Sequence, residues 1–375
     1  MKSIMKKALG NIFRWVCLNA YTKPRCIFLH LLHPSRTSVH ASYYPNKVSK
    51  SVFRIWIDQF FQIIKFGTPN QFYFPYGLDV KNSNEMDEYI HYLPFMRMRD
   101  ERNIKPHSAT SVLRDKLLFG MFTSYYGVDS AINIGVILSN DFFDLHCKKH
   151  VTLQSFLQNK SEANWFIKPI DGECGKGIVH LEIHNHKYFA NGKEVDINEL
   201  VKIFENEPYI VQATVEQNKI MKDLHPQSLN TIRLITILNP KTNKPEVFPS
   251  ILRIGTGNSI VDNTSQGGLA VGINLNSGHL KEYGFYKPSY GTKVSKHPDS
   301  GIVFSEFCIP YFDECKSQAI FLHSMLPKIH SIGWDIAIGK NGPIFIEGND
   351  NWEINGPQIC NGGLKKLFLS YCNEK

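Results

Sequence analysis

No acidic residue precedes Asp58 in this 375-residue chain. Ten basic residues do: Lys2, Lys6, Lys7, Arg14, Lys23, Arg25, Arg36, Lys47, Lys50 and Arg54. The remainder carries 32 basic against 34 acidic residues, so the net charge of +8 resides in the N-terminal arm, not in the body. Other absences narrow the class. No run of about 18 apolar residues occurs, so no transmembrane helix is expected. The eight cysteines form no Cys-x-x-Cys pair, which argues against a zinc ribbon or a thioredoxin-like site. They are too few to staple a chain this long, and they fit a reducing compartment. Repeats and low-complexity tracts are missing, which removes solenoid, collagen-like and disordered classes. Hydrophobic content of 42% and charged content of 20% are globular values. The length allows two or three domains.

The arm has helical periodicity. Ile4, Met5, Ala8, Leu9, Ile12, Phe13 and Val16 recur at three- and four-residue spacing, with Lys6, Lys7 and Arg14 between them. A basic amphipathic helix suits an anionic membrane surface, where apolar burial and charge attraction act together. Packing on the body with its lysines in water is the alternative. Arg14 and Asn19 break the apolar stretch and no small-residue cleavage site follows, so a signal peptide is not expected. The expectation is a cytoplasmic protein, peripheral at the inner membrane surface in the case where the arm binds lipid. The basic stretch matches no recognition motif, so no nucleic-acid partner is expected. His146 and His150 stand at helical i,i+4 spacing, but no carboxylate motif completes a metal site there.

Further along, 51–66 reads as an amphipathic helix or a buried hairpin, and 68–110 is turn-rich. "SATSVLRDKLLFGMFTSYYGV" reads as one helix, capped by Ser108 or Ser111, with a stripe of Leu113, Leu117, Leu118 and Met121 and a stop at Gly127. "WFIKPI" and "IVHLEI" read as strands flanking a glycine turn. A short helix capped by Asp196 and the strand "YIVQATV" follow. Four strands cover 230–286, and a helix follows near 313–329. "GWDIAIG" and "PIFIEGN" form a hairpin with an Asn-Gly turn. Strands mixed with few helices and many antiparallel turns give an α+β class.

Two constellations carry chemistry. Gly172, Gly175 and Gly177, with Lys176 among them and Lys168 on the strand before, suit either a plain hairpin turn or a loop that cradles phosphate. The order fits neither a Walker loop nor a dinucleotide fingerprint, because Gly177 and a strand follow Lys176. Asp335 and the Glu347–Asn349 pair lie on the two strands of the C-terminal hairpin. Their oxygens are of the kind Mg²⁺ takes, with phosphate and water completing the octahedron.

Together, "LRDKLLFGMFTSYYGV", "WFIKPIDGECGKGI", "YIVQATVEQN", "SLNTIRLITI" and "GWDIAIGKNGPIFIEGN" resemble the ATP-grasp superfamily over roughly 108–365. With "LRIGTGNSIVDNTSQGGLAVGIN", they look most like the sugar-transfer-associated ATP-grasp proteins. The resemblance implies an ATP-grasp fold, in which two α+β subdomains clasp ATP. An extension over 1–107 would precede it, with a lid subdomain near 150–212 and a metal-binding subdomain near 213–370. It implies that Lys116 and Lys168 reach phosphates, and that Gly172, Gly175, Lys176 and Gly177 form the lid. Gln212, Ala213 and Val215 would read adenine and Glu216 the ribose. Asp335, Glu347 and Asn349 would hold Mg²⁺. Arg233 would act with Lys168 on the transferring phosphate, and Arg253, Asp262, Asn263, Gly267 and Gly268 would shape the acceptor site. At the hinge the family more often has a charged residue after the glutamine, where Ala213 stands here. The implied activity is an ATP- and Mg²⁺-dependent carboxylate–amine ligase acting on a small molecule or glycan precursor. A kinase acting on a hydroxyl and a non-catalytic nucleotide-binding module are the alternatives.

Overall fold

A computed structural model describes residues 16–103, 107–172 and 176–372. Most of the amphipathic arm, and Gly175 of the glycine loop, lie outside them. The first third is helical. Lys23–Leu32 (α1) has a proline in its first turn. Val52–Phe66 (α2) is capped by the Ser51 side chain, which accepts from Arg54 N, and ends at Gly67 with φ 91°. Its inner face buries Ile55, Asp58, Gln59 and Ile63. Tyr92–Asn103 (α3) lies in the stretch read as turn-rich.

Two helices replace the single one expected after 107. His107–Arg114 (α4) ends at Asp115, whose carboxylate accepts from Leu117 N and Leu118 N and starts Lys116–Tyr125 (α5). Ser108 and Ser111 fall inside α4, so the cap is Asp115. The stripe shifts too. Leu113, Phe119 and Thr123 point inward, while Leu118 and Met121 are exposed.

Two antiparallel sheets follow. The first holds Asn133–Leu138 (β1), Asp141–Asp144 (β2), Lys149–Thr152 (β3), Glu162–Pro169 (β4), Val179–His184 (β5), Lys187–Ala190 (β6), Lys193–Val195 (β7) and Tyr209–Ala213 (β8). Its order is β3-β2-β1-β8-β4-β5-β6-β7, and its core gathers Ile137, Phe142, Ile167, Leu181 and Val211. It begins at Asn133, ahead of the boundary expected near 150. His150 lies on β3 opposite Phe143, so the His146–His150 pair has no helical spacing.

The second sheet holds Thr231–Leu238 (β9), Pro245–Ile254 (β10), Leu269–Ile273 (β11), Leu280–Phe285 (β12), Lys293–Val294 (β13), Ser331–Gly339 (β14) and Gly342–Asn349 (β15). Its order is β13-β12-β11-β10-β9-β14-β15. All nine residues of β14 are buried. Side chains alternate across the sheet. Ile232, Leu234, Trp334 and Ile336 pack under helix Phe312–Ser324 (α6). Ile235, Ile237 and Phe248 pack on the opposite face with Phe95 of α3, Trp352 and Phe368. Tyr43, Tyr73 and Tyr76 extend that layer over Ile251, Ala270 and Phe285.

Asn103 fixes α3 to the start of β14 and the residue after β15. Its Nδ2 donates to Ser331 O at 2.9 Å and Asp350 O at 2.7 Å, and its Oδ1 accepts from the amides of His330 and Ser331. His323 of α6 is wholly buried. Thr236 Oγ1 lies 2.7 Å from its Nδ1, and its Nε2 lies 2.8 Å from Ile329 O. Only the neutral ring with hydrogen on Nε2 both donates to the carbonyl and accepts from the hydroxyl. Burial, opposed by the Ile329 carbonyl, lowers its pKa from 6.5 to about 4.

A depressed histidine pKa contributes stability above the ordinary value and loses it as pH falls toward the folded one. Urea unfolding should therefore show stability falling from pH 6.5 toward pH 4 by about 1.4 kcal/mol per pH unit for this site alone. In His323→Gln that component of the slope should be absent.

Candidate active site

Lys116 is the first residue of α5, and Asp115 sets its position. Its backbone N–H donates to Ile170 O at 3.1 Å and its Nζ to Gly172 O at 2.7 Å. The helix start is thereby pinned to the exit of β4, where the glycine loop begins. Gly177, at φ 71°, adopts a conformation that disfavours other residues, and an added Cβ would meet Pro169 at 2.9 Å. Lys168, on β4, pairs in register with Ile210. Burial, aided by Lys116 and opposed by Glu347, lowers its pKa to about 8, so it remains a cation at neutral pH. Among the described residues no carboxylate forms a salt bridge with it.

Across the cleft, β14 and β15 bring their donors together. Asp335 stands opposite Glu347 and Gly333 opposite Asn349. Asn349 Nδ2 donates to Glu347 Oε1 at 3.2 Å. Asp335 also stands opposite Arg233 of β9. Arg233 grips Asp335 with Nε on Oδ1 and Nη2 on Oδ2, the latter at 3.0 Å. Arg253 Nη2 reaches Asp335 Oδ2 at 2.9 Å. Burial works against the Asp335 charge, but the two guanidiniums outweigh it and hold the carboxyl well below the usual range. Glu347 moves the other way: burial, the Asp335 charge and the hydrogen bond between the two carboxyls raise it. Among the described residues no three His, Cys, Asp or Glu side chains gather where they could hold a metal, and the Asn349 amide lies beside the Asp335–Glu347 pair. Leu113, Arg114, Lys116, Gly172, Glu347 and Asn349 line one cleft.

This geometry comes from a stretch whose pattern is shared. The model of the sugar-transfer associated ATP-grasp family matches residues 96–370. The chain belongs to that family. No curated protein matches it in sequence. Solved structures that are similar include L-amino acid ligase from Bacillus licheniformis, with 12% identity, 68% of this chain and 44% of that chain covered, and a TM-score of 0.37. D-Alanine-D-alanine ligase from Helicobacter pylori gives 9%, 70%, 59% and 0.38. VanG D-Ala:D-Ser ligase from Enterococcus faecalis gives 13%, 70%, 63% and 0.36. The chain spans less than two thirds of the length of each.

In this ATP-grasp fold the remaining expected residues separate into two groups. Gln212 of β8 is buried. Its Nε2 donates to Asn133 Oδ1 at 2.9 Å, and its Oε1 has no partner among the described residues. Ala213 N–H donates to Ile132 O at 2.9 Å, Val215 is half-buried and Glu216 is exposed. Lys176 is exposed beside the loop. The residues expected to shape an acceptor site lie around Arg253 and the loop that follows Asp262. Asp262 is buried; one oxygen accepts from Thr231 N at 2.9 Å and from the Thr231 hydroxyl. Arg253 Nη2 donates to that hydroxyl oxygen at 2.7 Å. Burial disfavours the Arg253 charge, but Asp262, Asp335 and Glu347 more than restore it. Asn263 accepts from Ser265 N and starts a short turn that ends at Gly267, φ 96°, against the Tyr290 ring. At Gly268 a Cβ would strike Asp262 O at 2.6 Å.

Sequence reasoning passed over Arg114 and Asp350. Arg114 binds the buried Asp350 with two hydrogen bonds, Nε to Oδ1 at 2.9 Å and Nη2 to Oδ2 at 2.7 Å. The signal was present as "RDK" and "GND", each beside a residue already singled out. Asn133, which orients Gln212, carried no signal.

Arg253 faces two buried carboxylates. Arg253→Met should lower stability by about 3–5 kcal/mol in denaturant unfolding, the usual cost of leaving a buried charge unpaired. Adding Asp262→Asn should restore part of that loss, which a double-mutant cycle reads directly.

Proposed function

We propose that the protein is an ATP- and magnesium-dependent ligase that joins a carboxylate to an amine, with a glycan or its precursor as one substrate. The observation that carries this reading is the contact between Asp335 and Glu347 across adjacent strands, beside Asn349, with Lys116 lining the same cleft as Glu347 and Lys168 near enough to feel the Glu347 charge. Two carboxyls in contact repel unless a proton or a cation lies between them. Oxygen donors only, two of them acidic, fit Mg²⁺ and not a softer metal. When bound, the ion neutralises the triphosphate and polarises its γ-phosphoryl group.

The chain's own residues then have defined tasks. Lys116, which lines the cleft with Glu347, and Lys168, on the other sheet, counter phosphate charge. Gln212, with its unpaired Oε1, faces a group that brings a hydrogen-bond donor. Arg233 and Arg253 hold Asp335 ionised and in place, and present positive charge where the transferring group gains negative charge. A substrate carboxylate oxygen attacks the γ-phosphorus and ADP leaves. The amine lone pair then attacks the acyl carbon, phosphate departs with the C–O electron pair, and the nitrogen gives up a proton. The glycine loop keeps water off the acyl phosphate. Positioning and charge do this work, without a covalent protein intermediate.

Thermal unfolding with and without Mg-ATP tests the site. At roughly 100 times its dissociation constant, Mg-ATP should stabilise the wild type by ~2.7 kcal/mol. Glu347→Gln should lose that gain while unfolding normally without ligand. Hydroxylamine added to the reaction should trap a hydroxamate from the correct carboxylate. A nucleotide shift with phosphorylated hydroxyl product and no hydroxamate would replace the ligase by a kinase.

A further inference from the structure

Helix α2 is apolar on both sides. Its inner face is buried against the body, yet its outer face carries Phe53, Ile57, Phe60, Phe61 and Ile64, all within one arc at 100° per residue. Phe53 is 69% exposed and Phe61 64%. The outer face of α1 repeats the pattern with Phe28, Leu31 and Leu32, exposed by 61%, 55% and 55%. A ladder of stacked rings joins the two faces: His30 on Trp56 at 5.1 Å, Trp56 on Phe53 at 6.1 Å and Trp56 on Phe60 at 5.8 Å. Of the 27 large apolar side chains exposed among the described residues, 11 lie between Val16 and Ile64. A patch this dense on a water-facing surface marks an interaction site.

Charge selects the occupant. Arg25, Arg36, Lys47, Arg54 and Lys65 are exposed on or beside these helices. The first acidic residue, Asp58, points inward, where Lys50 Nζ lies 2.8 Å from its Oδ2 and Tyr73 donates to it. A second copy of the same face would set cations against cations. An anionic lipid surface offers apolar depth and opposite charge together. No described helix is long and apolar enough to cross a bilayer, so the contact is with one leaflet.

We propose that the joined outer faces of α1 and α2 dock the protein on an anionic lipid bilayer. This needs no nucleotide and stands apart from the ligase reading. The test is co-sedimentation of the full chain with vesicles of phosphatidylcholine alone, or with about one third phosphatidylglycerol. The wild type should bind the anionic vesicles, more weakly as salt rises. The Phe28→Ser, Phe53→Ser, Phe61→Ser triple variant should lose about ten-fold or more in partition while keeping the wild-type thermal midpoint. Arg25→Gln with Lys65→Gln should weaken anionic binding alone. Three results overturn the proposal. The triple variant binds as tightly as wild type, which assigns binding to residues 1–15. The wild type binds neither vesicle. Or the wild type binds no vesicle and dimerises through a contact that the triple variant abolishes, which makes the face a protein interface.

Discussion

The carboxylate of Asp335 sits in a strand whose nine residues are all buried, and its neighbours are arranged around that charge. A lone carboxylate there would cost several kcal/mol. Strand order removes the cost: β9 lies beside β14, so Arg233 is opposite Asp335, and Arg253 reaches in from β10. The same strand pairing sets Glu347 against Asp335 from the other side. Two arginines on one edge and a second carboxylate on the other leave Asp335 ionised and Glu347 inclined to keep a proton. Arg253 also ties in the loop that follows Asp262, because Arg253 and Asp262 share the Thr231 hydroxyl.

The two sheets touch this centre through few connections. Phe345 N–H donates to Asp129 O and Ala131 N–H to Phe345 O, ahead of β1. Gln217 bridges Gly339, and Asn218 N–H donates to Ile338 O, just after β8. The glycine loop reaches the helical layer through Lys116. Lys168 therefore belongs to one sheet and Glu347 to the other.

Much of this was legible in the sequence, and the failures have physical reasons. The hairpin of β14 and β15 is local, so its turn and alternation placed Asp335 and Glu347 together correctly. The Arg233–Asp335 pair is not local. It spans 102 positions and depends on strand order, which periodicity does not encode. The helix after 107 was misread because Asp115 lies inside an apolar-rich stretch and its capping role depends on backbone geometry. Its buried side includes Thr123, whose hydroxyl bonds to Phe119 O and Ser130, so a stripe drawn through leucines misses it. Asn133 orients Gln212 across β1 and β8, a pairing between strands separated by six others in the chain.

Helix α2 sets a different limit on reading apolar pattern. Periodicity identifies a helix and its apolar residues, but a helix apolar on two sides has no unique inside. The buried side is the one with the polar anchors: Asp58 takes Lys50 and Tyr73, and Gln59 bonds both ways with Asn70. The outer side has aromatic rings and cations but no acidic residue. Polar groups that find partners within the protein mark the face folding has satisfied. Apolar groups left outside among like charges mark the face that something anionic completes. Had the outer face been a core position left bare, its cations would have carboxylate partners nearby, as Arg114, Arg233 and Arg253 have. Among the described residues Arg54 is the one of these cations in a salt bridge, to Asp58 at 3.3 Å, and Asp58 is already held by Lys50; Lys65 acts on Asp87 only through space, and Asp87 is already bonded to Lys365.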